Sequence, residues 1–185
     1  MFVIFAVIAI ALMVGVDQVT KYLVLEYLSD NHERTDKFVT VVEDVLRFRF
    51  EPNTGGVFGF FAEHTVALTI VSIILLIGAV YILATNKSRS RLVNICIVMM
   101  IAGGIGNVID RIRLGFVVDF IEPTFINFAV FNVADCFITV SAFLLIGYLI
   151  YDFIKDVKKN RISTADGKNQ KSEAPTVTED TDGAK

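Results

Sequence analysis

The chain has 185 residues and a formal net charge of −3, and 54% of its residues are hydrophobic. Its mean hydropathy is +0.62, and the apolar residues stand in long blocks rather than at the spaced positions typical of a soluble domain. These properties indicate a membrane protein. The sequence has no basic face that could bind phosphates, which argues against nucleic acid as a partner.

Four segments are apolar enough to cross the hydrocarbon layer as helices, which requires about 20 residues each. They are predicted at residues 2–23, 64–84, 92–109 and 134–154. The first segment lacks the basic start and the small-residue cleavage pattern of a secretory signal, so we interpret it as a retained spanning helix.

Basic residues are densest on one side of these segments. The connection after the second segment, "TNKSRSR", has three cations and no acid, and "KDVKKNR" follows the fourth. Because dense cations mark cytoplasmic loops, both termini are expected in the cytoplasm. The loops at residues 29–63 and 110–133 are expected to face outward.

The first outward loop has strand character. In "VLRFRF", Leu46, Phe48 and Phe50 alternate with arginines, a period of two that follows a second apolar run, "FVTVV". This pattern predicts a small extracytoplasmic β-hairpin or sheet at about residues 38–50, with its apolar face toward lipid or the helices.

The expected fold class is therefore an all-α membrane protein with four transmembrane helices and this small β region. Residues 1–159 form the predicted membrane domain. Residues 160–185 are polar and have few large apolar side chains, so they are predicted to be a disordered cytoplasmic tail.

Polar residues cluster at the outward ends of the predicted helices. Asp17 and Lys21 lie four residues apart on one helix face and can pair. Asp110 and Arg111 suit either a functional site or a solvated helix end from which Arg111 reaches lipid headgroups. The other members of this group are Asn53, Asn107, Asp119, Asn132 and Asp135.

Other patterns in this region have a structural explanation. Asn132 and Asp135 open the fourth segment with the spacing of a helix-capping box. The glycines of "GGIG" favour close helix packing over phosphate binding, because no strand precedes them. Cys96 and Cys136 lie in apolar segments without a CxxC pattern and are interpreted as small hydrophobic residues, so no metal site is expected.

Asp119 is harder to explain structurally. It lies between Val118 and Phe120, where a carboxylate is poorly solvated, and both desolvation and a second nearby carboxyl raise a carboxyl pKa. Asp135 is sixteen residues further on, across a loop that allows the two side chains to meet. Such a pair can take a proton from water and give one to a leaving amine, as aspartic proteases do.

Four sequence blocks resemble the lipoprotein signal peptidase (signal peptidase II) family across about residues 5–155. They are "DQVTK", "NTGGVFG", "GGIGNVIDRIRLGFVVDFI" and "FNVADCFITVS", in that order. The resemblance implies that Asp119 and Asp135 are the catalytic aspartates. It implies supporting or substrate-binding roles for Asp17, Lys21, Asn53, Gly55, Asn107, Asp110, Arg111 and Asn132.

The resemblance further implies a membrane aspartic endopeptidase that removes the signal peptide from diacylglyceryl-modified prolipoproteins, cleaving on the N-terminal side of the lipidated cysteine. No cofactor is expected, since water is the nucleophile. The expected partners are prolipoprotein substrates, membrane lipid and globomycin-type inhibitors. The expected setting is a monomer in the bacterial cell membrane with its active site facing outward.

Two other functions are weighed against this one. The first is a small transporter or channel subunit in which Asp17, Asp110 and Asp135 relay protons or ions, since acids in membrane segments are usually functional. The centres of the segments hold almost no acids, which argues against it. The second is a scaffold subunit that uses its helices only for docking, which leaves Asp119 without a role.

Overall fold

The computed structural model describes residues 2–55, 65–85 and 90–172, and side chains as far as residue 159. Within these ranges, four helices are long and apolar enough to span a membrane. Helix α1 covers Phe2–Leu28, α2 Thr65–Thr85, α3 Arg91–Leu114 and α4 Val133–Ser172. The predicted fold class is confirmed.

Several predicted features lie outside the described residues. They are the start of the second span at His64, the last four residues of "NTGGVFG", the cations Lys87 and Arg89, and residues 173–185. Helices α1 and α3 run beyond their predicted ends at residues 23 and 109. They can do so because the polar residues near these ends find partners inside the protein.

The chain divides into two packed units, Met1–Leu145 and Ile146–Lys185. The second unit consists, where described, of the remainder of α4, which continues to Ser172. The described backbone of residues 160–172 is thus helical, and the disordered tail expected at residues 160–185 stays a prediction. A helix that is already nucleated extends at little cost through a polar stretch without proline.

Helix α3 is the central helix of the first unit, since it packs against both α1 and α2 and has the most buried span of the four described helices. Its glycines allow close approach. A Cβ on Gly106 would lie 2.4 Å from Asp17 Oδ2, and one on Gly103 would lie 2.4 Å from the Ala134 carbonyl oxygen. The packing role predicted for "GGIG" therefore agrees with the structure.

The three described strands form one antiparallel sheet in the order β1-β2-β3. Strand β1 covers Phe38–Val42 and β2 Leu46–Asn53, which confirms the predicted hairpin. Strand β3, Val117–Pro123, lies within the outward loop predicted at residues 110–133. The run "VVDFI" is rich in β-branched and aromatic residues and lies between Gly115, at φ 81°, and Pro123.

One face of the sheet packs on the end of α1. The core there comprises Val24, Leu28, Phe50, Val118 and Phe120, and the Phe48 and Phe120 rings lie 5.5 Å apart. The period-two pattern of the second strand thus correctly predicted an apolar face. This core attaches the sheet to the C-terminal part of α1, which also carries Lys21. It thereby fixes the position of the opposite face of the sheet and of the polar side chains on that face.

Candidate active site

A β-bulge orients Asp119. Phe48 pairs with Ile121, but Glu51 pairs with Asp119, so β2 has one extra residue between these pairs. In a regular antiparallel register Asp119 would lie opposite Phe50. The bulge instead places Asp119 on the same face as Glu51 and Asn53, away from the apolar core.

A pair of backbone hydrogen bonds holds the start of α4 next to strand β3. The Ile121 and Phe131 backbones exchange hydrogen bonds of 2.8 and 3.1 Å, which closes the excursion between β3 and α4. Asn132, the next residue, caps α4. Its Oδ1 accepts from the Asp135 backbone N–H at 2.9 Å, and Asp135 Oδ2 accepts from the Asn132 backbone N–H at 3.3 Å. The capping interpretation of this pair is therefore correct.

The same residue, Asn132, also hydrogen-bonds Asp119, so one side chain both caps α4 and holds Asp119 in place. Asn132 Nδ2 donates to Asp119 Oδ1 at 2.6 Å, and Asn53 Nδ2 donates to Asp119 Oδ2 at 2.8 Å. Asn107 Nδ2 donates to Asp135 Oδ1 at 2.8 Å. Each of the four carboxyl oxygens thus accepts one hydrogen bond from the protein, which holds both side chains in fixed orientations.

Asp119 lies outside the spanning helices, and its pKa is raised to about 7. Burial is the largest cause, and the negative charge of Asp135 adds to it. The hydrogen bonds from Asn53 and Asn132 and the charge of Lys21 act in the opposite direction. A carboxyl with this pKa can hold or release a proton near neutral pH, as a general acid or base requires.

Behind the two aspartates lies a group that we call the buried polar cluster: Asp17, Gln18, Lys21, Asn107 and Asp110. Lys21 Nζ lies 2.9 Å from both Asp17 Oδ2 and Asp110 Oδ2, which is consistent with the predicted Asp17–Lys21 pair. Gln18 Nε2 donates to Asp110 Oδ1 at 2.9 Å. Because Asp110 is buried, the solvated helix end considered for it is excluded.

Gln18 and strand β3 were not singled out from the sequence. Gln18 also donates to the Gly106 carbonyl at 3.2 Å and so links α1 to α3. Its position next to Asp17 was the only signal in the sequence, since its partners on α3, Gly106 and Asp110, lie far away in the chain. The strand had a usable signal in its β-branched and aromatic composition.

A cavity of about 760 Å³ opens beside the aspartates. Its polar lining includes Asn53, Gly55, Asp119 and Asp135, and its apolar lining comes from the 128–131 segment and from α4. Gly55 donates its N–H to Asn53 Oδ1 at 3.1 Å, which holds the chain turn after β2. The cavity can therefore receive a ligand with both a polar and an apolar part.

Arg111 is placed differently from the other predicted residues. It does not line this cavity, and its buried Nε has no hydrogen-bond partner in the described part of the chain. Its charge still acts on Asp135 and Asp119, so it contributes positive potential to the site. Within residues 2–55, 65–85 and 90–159, no three His, Cys, Asp or Glu side chains are grouped so as to hold a metal ion.

The fold and this geometry define a membrane-embedded protein whose paired carboxyls suit aspartic hydrolysis. The sequence profile of the family described as "Signal peptidase (SPase) II" matches residues 8–151. The chain belongs to this family. It is a multi-pass membrane aspartic endopeptidase that acts as a lipoprotein signal peptidase and removes signal peptides from prolipoproteins.

Individual relatives are similar over most of their length. The lipoprotein signal peptidase of Caldanaerobacter subterraneus subsp. tengcongensis is 37% identical over 145 residues, covering 78% of this chain and 94% of that protein. That of Enterococcus faecalis is 34% identical over 142 residues, covering 77% and 85%. That of Streptococcus thermophilus is 33% identical over 139 residues, covering 75% and 88%.

Solved structures agree with the fold. Two bacterial membrane enzyme structures, obtained by the in meso method, match with TM-scores of 0.74 and 0.72. They are 28% and 29% identical to this chain, of which each covers 82%, and the match spans 91% and 96% of their own chains.

Proposed function

We propose that Asp119 and Asp135 are the catalytic pair of this peptidase and share one proton before substrate binds. The observation that carries the proposal is their joint attachment to Asn132 beside the cavity. Burial and the charge of Asp135 raise the pKa of Asp119 to about 7, which supports Asp119 as the carboxyl that holds the proton. The positive charge of Arg111 acts on both carboxyls and supports a pair that carries one negative charge.

In this mechanism a water molecule lies between the two carboxyls and the scissile carbonyl. Ionised Asp135 accepts a proton from the water as its oxygen attacks the carbonyl carbon, and Asp119 donates its proton to the carbonyl oxygen. The tetrahedral diol then collapses. The C–N bond breaks, the amine receives the proton held by Asp135, and one hydroxyl of the diol returns its proton to Asp119.

The substrate is proposed to be a prolipoprotein with a diacylglyceryl cysteine, cleaved on the N-terminal side of that cysteine. The cavity supports this because its polar lining lies at the aspartates and its apolar lining follows α4 through Ile138 and Val140. The peptide would lie against the first part and the lipid against the second. Asn53 and Gly55 would contact the peptide, since both line the cavity.

The other predicted site residues have supporting roles in this proposal. Asn107 and Asn132 orient the pair by direct hydrogen bonds. Asp17, Lys21 and Asp110 lie behind them, where they are buried and bonded to one another. Arg111 contributes charge, and its buried Nε makes no hydrogen bond within the described residues. No cofactor is required, because two carboxyls and water supply every proton in the reaction.

We also propose that the protein lies in the bacterial plasma membrane, with both termini in the cytoplasm and the site facing outward. The cations near the end of the fourth span, such as Lys155, Lys158 and Lys159, support this orientation. A monomer suffices, since every site residue comes from one chain. Residues 1–159 would be the peptidase domain and residues 160–185 a tail that catalysis does not need. Globomycin-type inhibitors would occupy the cavity.

The test is cleavage of a synthetic precursor carrying a diacylglyceryl cysteine by the full chain in lipid bicelles. Asp119→Asn and Asp135→Asn should each lower kcat by about a thousandfold or more, because the amide can neither donate nor accept the transferred proton. The matched control is Asp36→Asn at an exposed position, which should leave kcat unchanged. Full activity in Asp119→Asn would overturn the proposal.

A further inference from the structure

Lys21 is fully satisfied although it is buried in a helix that spans the membrane. Its ammonium has three N–H donors and three acceptors at 2.9 Å: Asp17 Oδ2, Asp110 Oδ2 and Asn107 Oδ1. A buried ammonium is costly unless it is paired and hydrogen-bonded. The three acceptors come from α1 and α3, so the lysine joins two helices at one point.

Each of the two carboxylates continues from Lys21 to the backbone next to a catalytic aspartate. Asp110 Oδ2 accepts from the Val118 N–H at 3.1 Å, and Val118 immediately precedes Asp119. Asp17 Oδ1 accepts from the Ala134 N–H at 2.9 Å, and Ala134 immediately precedes Asp135. The two backbone segments that carry the pair are therefore both attached, through one carboxylate each, to the same ammonium.

The third acceptor of Lys21, Asn107 Oδ1, fixes the orientation of two side-chain amides, those of Asn107 and Asn132. An ammonium can only donate, so Asn107 must turn its oxygen toward Lys21 and its NH₂ toward Asp135. The same Asn107 oxygen accepts from Asn132 Nδ2 at 3.2 Å. This turns the Asn132 NH₂ toward Asp119 and leaves its oxygen for the α4 cap. The charge on Lys21 thereby determines which atoms of both amides face the carboxyls.

We propose that Lys21 is the positioning residue of the catalytic pair: it sets the separation of Asp119 and Asp135 through two backbone attachments and the orientation of their amide donors through a third. The proposal rests on the catalytic roles given above to the two aspartates. It assigns Lys21 an effect on the chemical step, because a displacement of about 1 Å in a catalytic group costs about a hundredfold in rate.

The first variant is Lys21→Met, which keeps the length of the side chain and removes the donors. We expect kcat to fall about a hundredfold while KM changes less than about threefold, because the cavity lining is untouched. The charge of Lys21 lowers the pKa of Asp119, so its loss should also move the alkaline limb of the pH–rate profile upward.

A second variant separates positioning from folding. Lys21→Met leaves Asp17 and Asp110 without their cation, which destabilises a buried site. Lys21→Met with Asp110→Asn removes one positive and one negative charge, and the amide oxygen introduced by the second change can still accept from the Val118 N–H. We expect this double variant to bind the uncleaved precursor and to unfold near the wild-type temperature, yet to keep the same loss of kcat.

The matched control is Lys37→Met with Asp30→Asn, at an exposed ion pair of 2.8 Å. It should leave kcat and KM unchanged. Wild-type kcat in the folded Lys21→Met/Asp110→Asn variant would overturn the proposal, as would failure of both Lys21 variants to fold, since the lysine would then serve only the fold. An active Asp119→Asn variant would instead refute the catalytic roles themselves, so the two failures can be told apart.

Discussion

Two charge networks lie near the site and differ in how far water can reach them. The buried polar cluster places Lys21 between Asp17 and Asp110, and all three residues are at most 2% exposed. The surface ion ladder, which we define as Arg34, Arg47, Arg49, Glu51 and Glu122, runs along the polar face of the sheet. Within it Arg49 Nε lies 2.9 Å from Glu122, and Arg47 also pairs with Glu122.

The two networks differ in whether water can solvate a charged group after its ion-pair partner is removed. In the ladder the sheet residues are partly exposed, from 15% for Glu122 to 36% for Arg47, so water can replace a lost partner and each pair contributes little to stability. In the buried cluster the charged groups are closed off from the solvent, and removing one partner costs about 3–5 kcal/mol. The buried charges therefore hold backbone in place, whereas the partly exposed charges of the ladder mainly set the local potential at the cavity, which Arg34, Arg49 and Glu51 line.

The largest effect is expected from adding a methyl group at Gly106, which lies against Asp17 of the buried polar cluster. Gly106→Ala would place its Cβ 2.4 Å from Asp17 Oδ2 and 3.3 Å from the Ala134 Cβ. Asp17 must then move, and the start of α4 with it, so we expect loss of cleavage and a strongly lowered unfolding temperature. The matched control is Gly78→Ala in α2, where nothing lies within 4 Å. It should keep full activity, and equal effects of the two changes would contradict the packing role of Gly106.

A smaller effect is expected from removing one donor to the pair. Asn53→Ala deletes the 2.8 Å hydrogen bond to Asp119, and leaving a buried polar group without its partner costs about 1–3 kcal/mol. We expect kcat/KM to fall about 10- to 100-fold. This hydrogen bond lowers the pKa of Asp119, so its loss should move the alkaline limb of the profile above about pH 7. Asn127→Ala in the exposed loop before α4 is the control, and an unshifted limb in Asn53→Ala would count against the role of Asp119.

The surface ion ladder should respond weakly. Glu122→Gln removes its pairs with Arg47 and Arg49, and we expect a loss of stability much smaller than that for Lys21→Met and an unchanged kcat. Arg47 and Arg49 lower the pKa of Glu122, so these ion pairs stabilise the folded state fully at pH values above the unfolded-state pKa, near 4.5. This stabilisation is lost as the pH falls through the lower folded-state pKa. Chemical denaturation across acidic pH measures it. A loss as large as that for Lys21→Met would show that burial is not the deciding factor.

The smallest effect is expected from removing the tail. Truncation after Arg161 leaves the site residues and the cavity lining intact, because the last of these is Val140. We expect cleavage rates within about twofold of the full chain, measured on the same precursor. A large loss would show that the segment after residue 161 takes part in substrate handling.

The sequence predicted those parts of the molecule that depend on local patterns. The four spans follow from apolar length, the hairpin from the alternation of Leu46, Phe48 and Phe50, and the cap from the spacing of Asn132 and Asp135. The placement of Gln18 and the bulge opposite Asp119 could not be predicted, because both depend on the register between distant segments. The bulge changes which face Asp119 occupies, and no residue spacing within β3 reveals that.

The charged groups near Asp119 come from several elements and all contribute to its titration. They are Asp135 of α4, which raises the pKa of Asp119, Lys21 of α1, which lowers it, and Arg111 of α3, whose charge interacts with Asp119. Burial outweighs the cationic contributions and raises the pKa of Asp119 to about 7. Below this pH Asp119 keeps its proton, and above it the pair loses the proton that the mechanism requires.

The pH dependence of kcat/KM for the diacylglyceryl precursor tests the shared-proton pair most directly. We expect a bell-shaped profile whose alkaline limb lies near pH 7 and moves upward in Asn53→Ala and in Lys21→Met. A profile that stays flat from weakly acidic to alkaline pH in the wild type, with no shift in either variant, would contradict a pair of carboxyls that holds one proton between them.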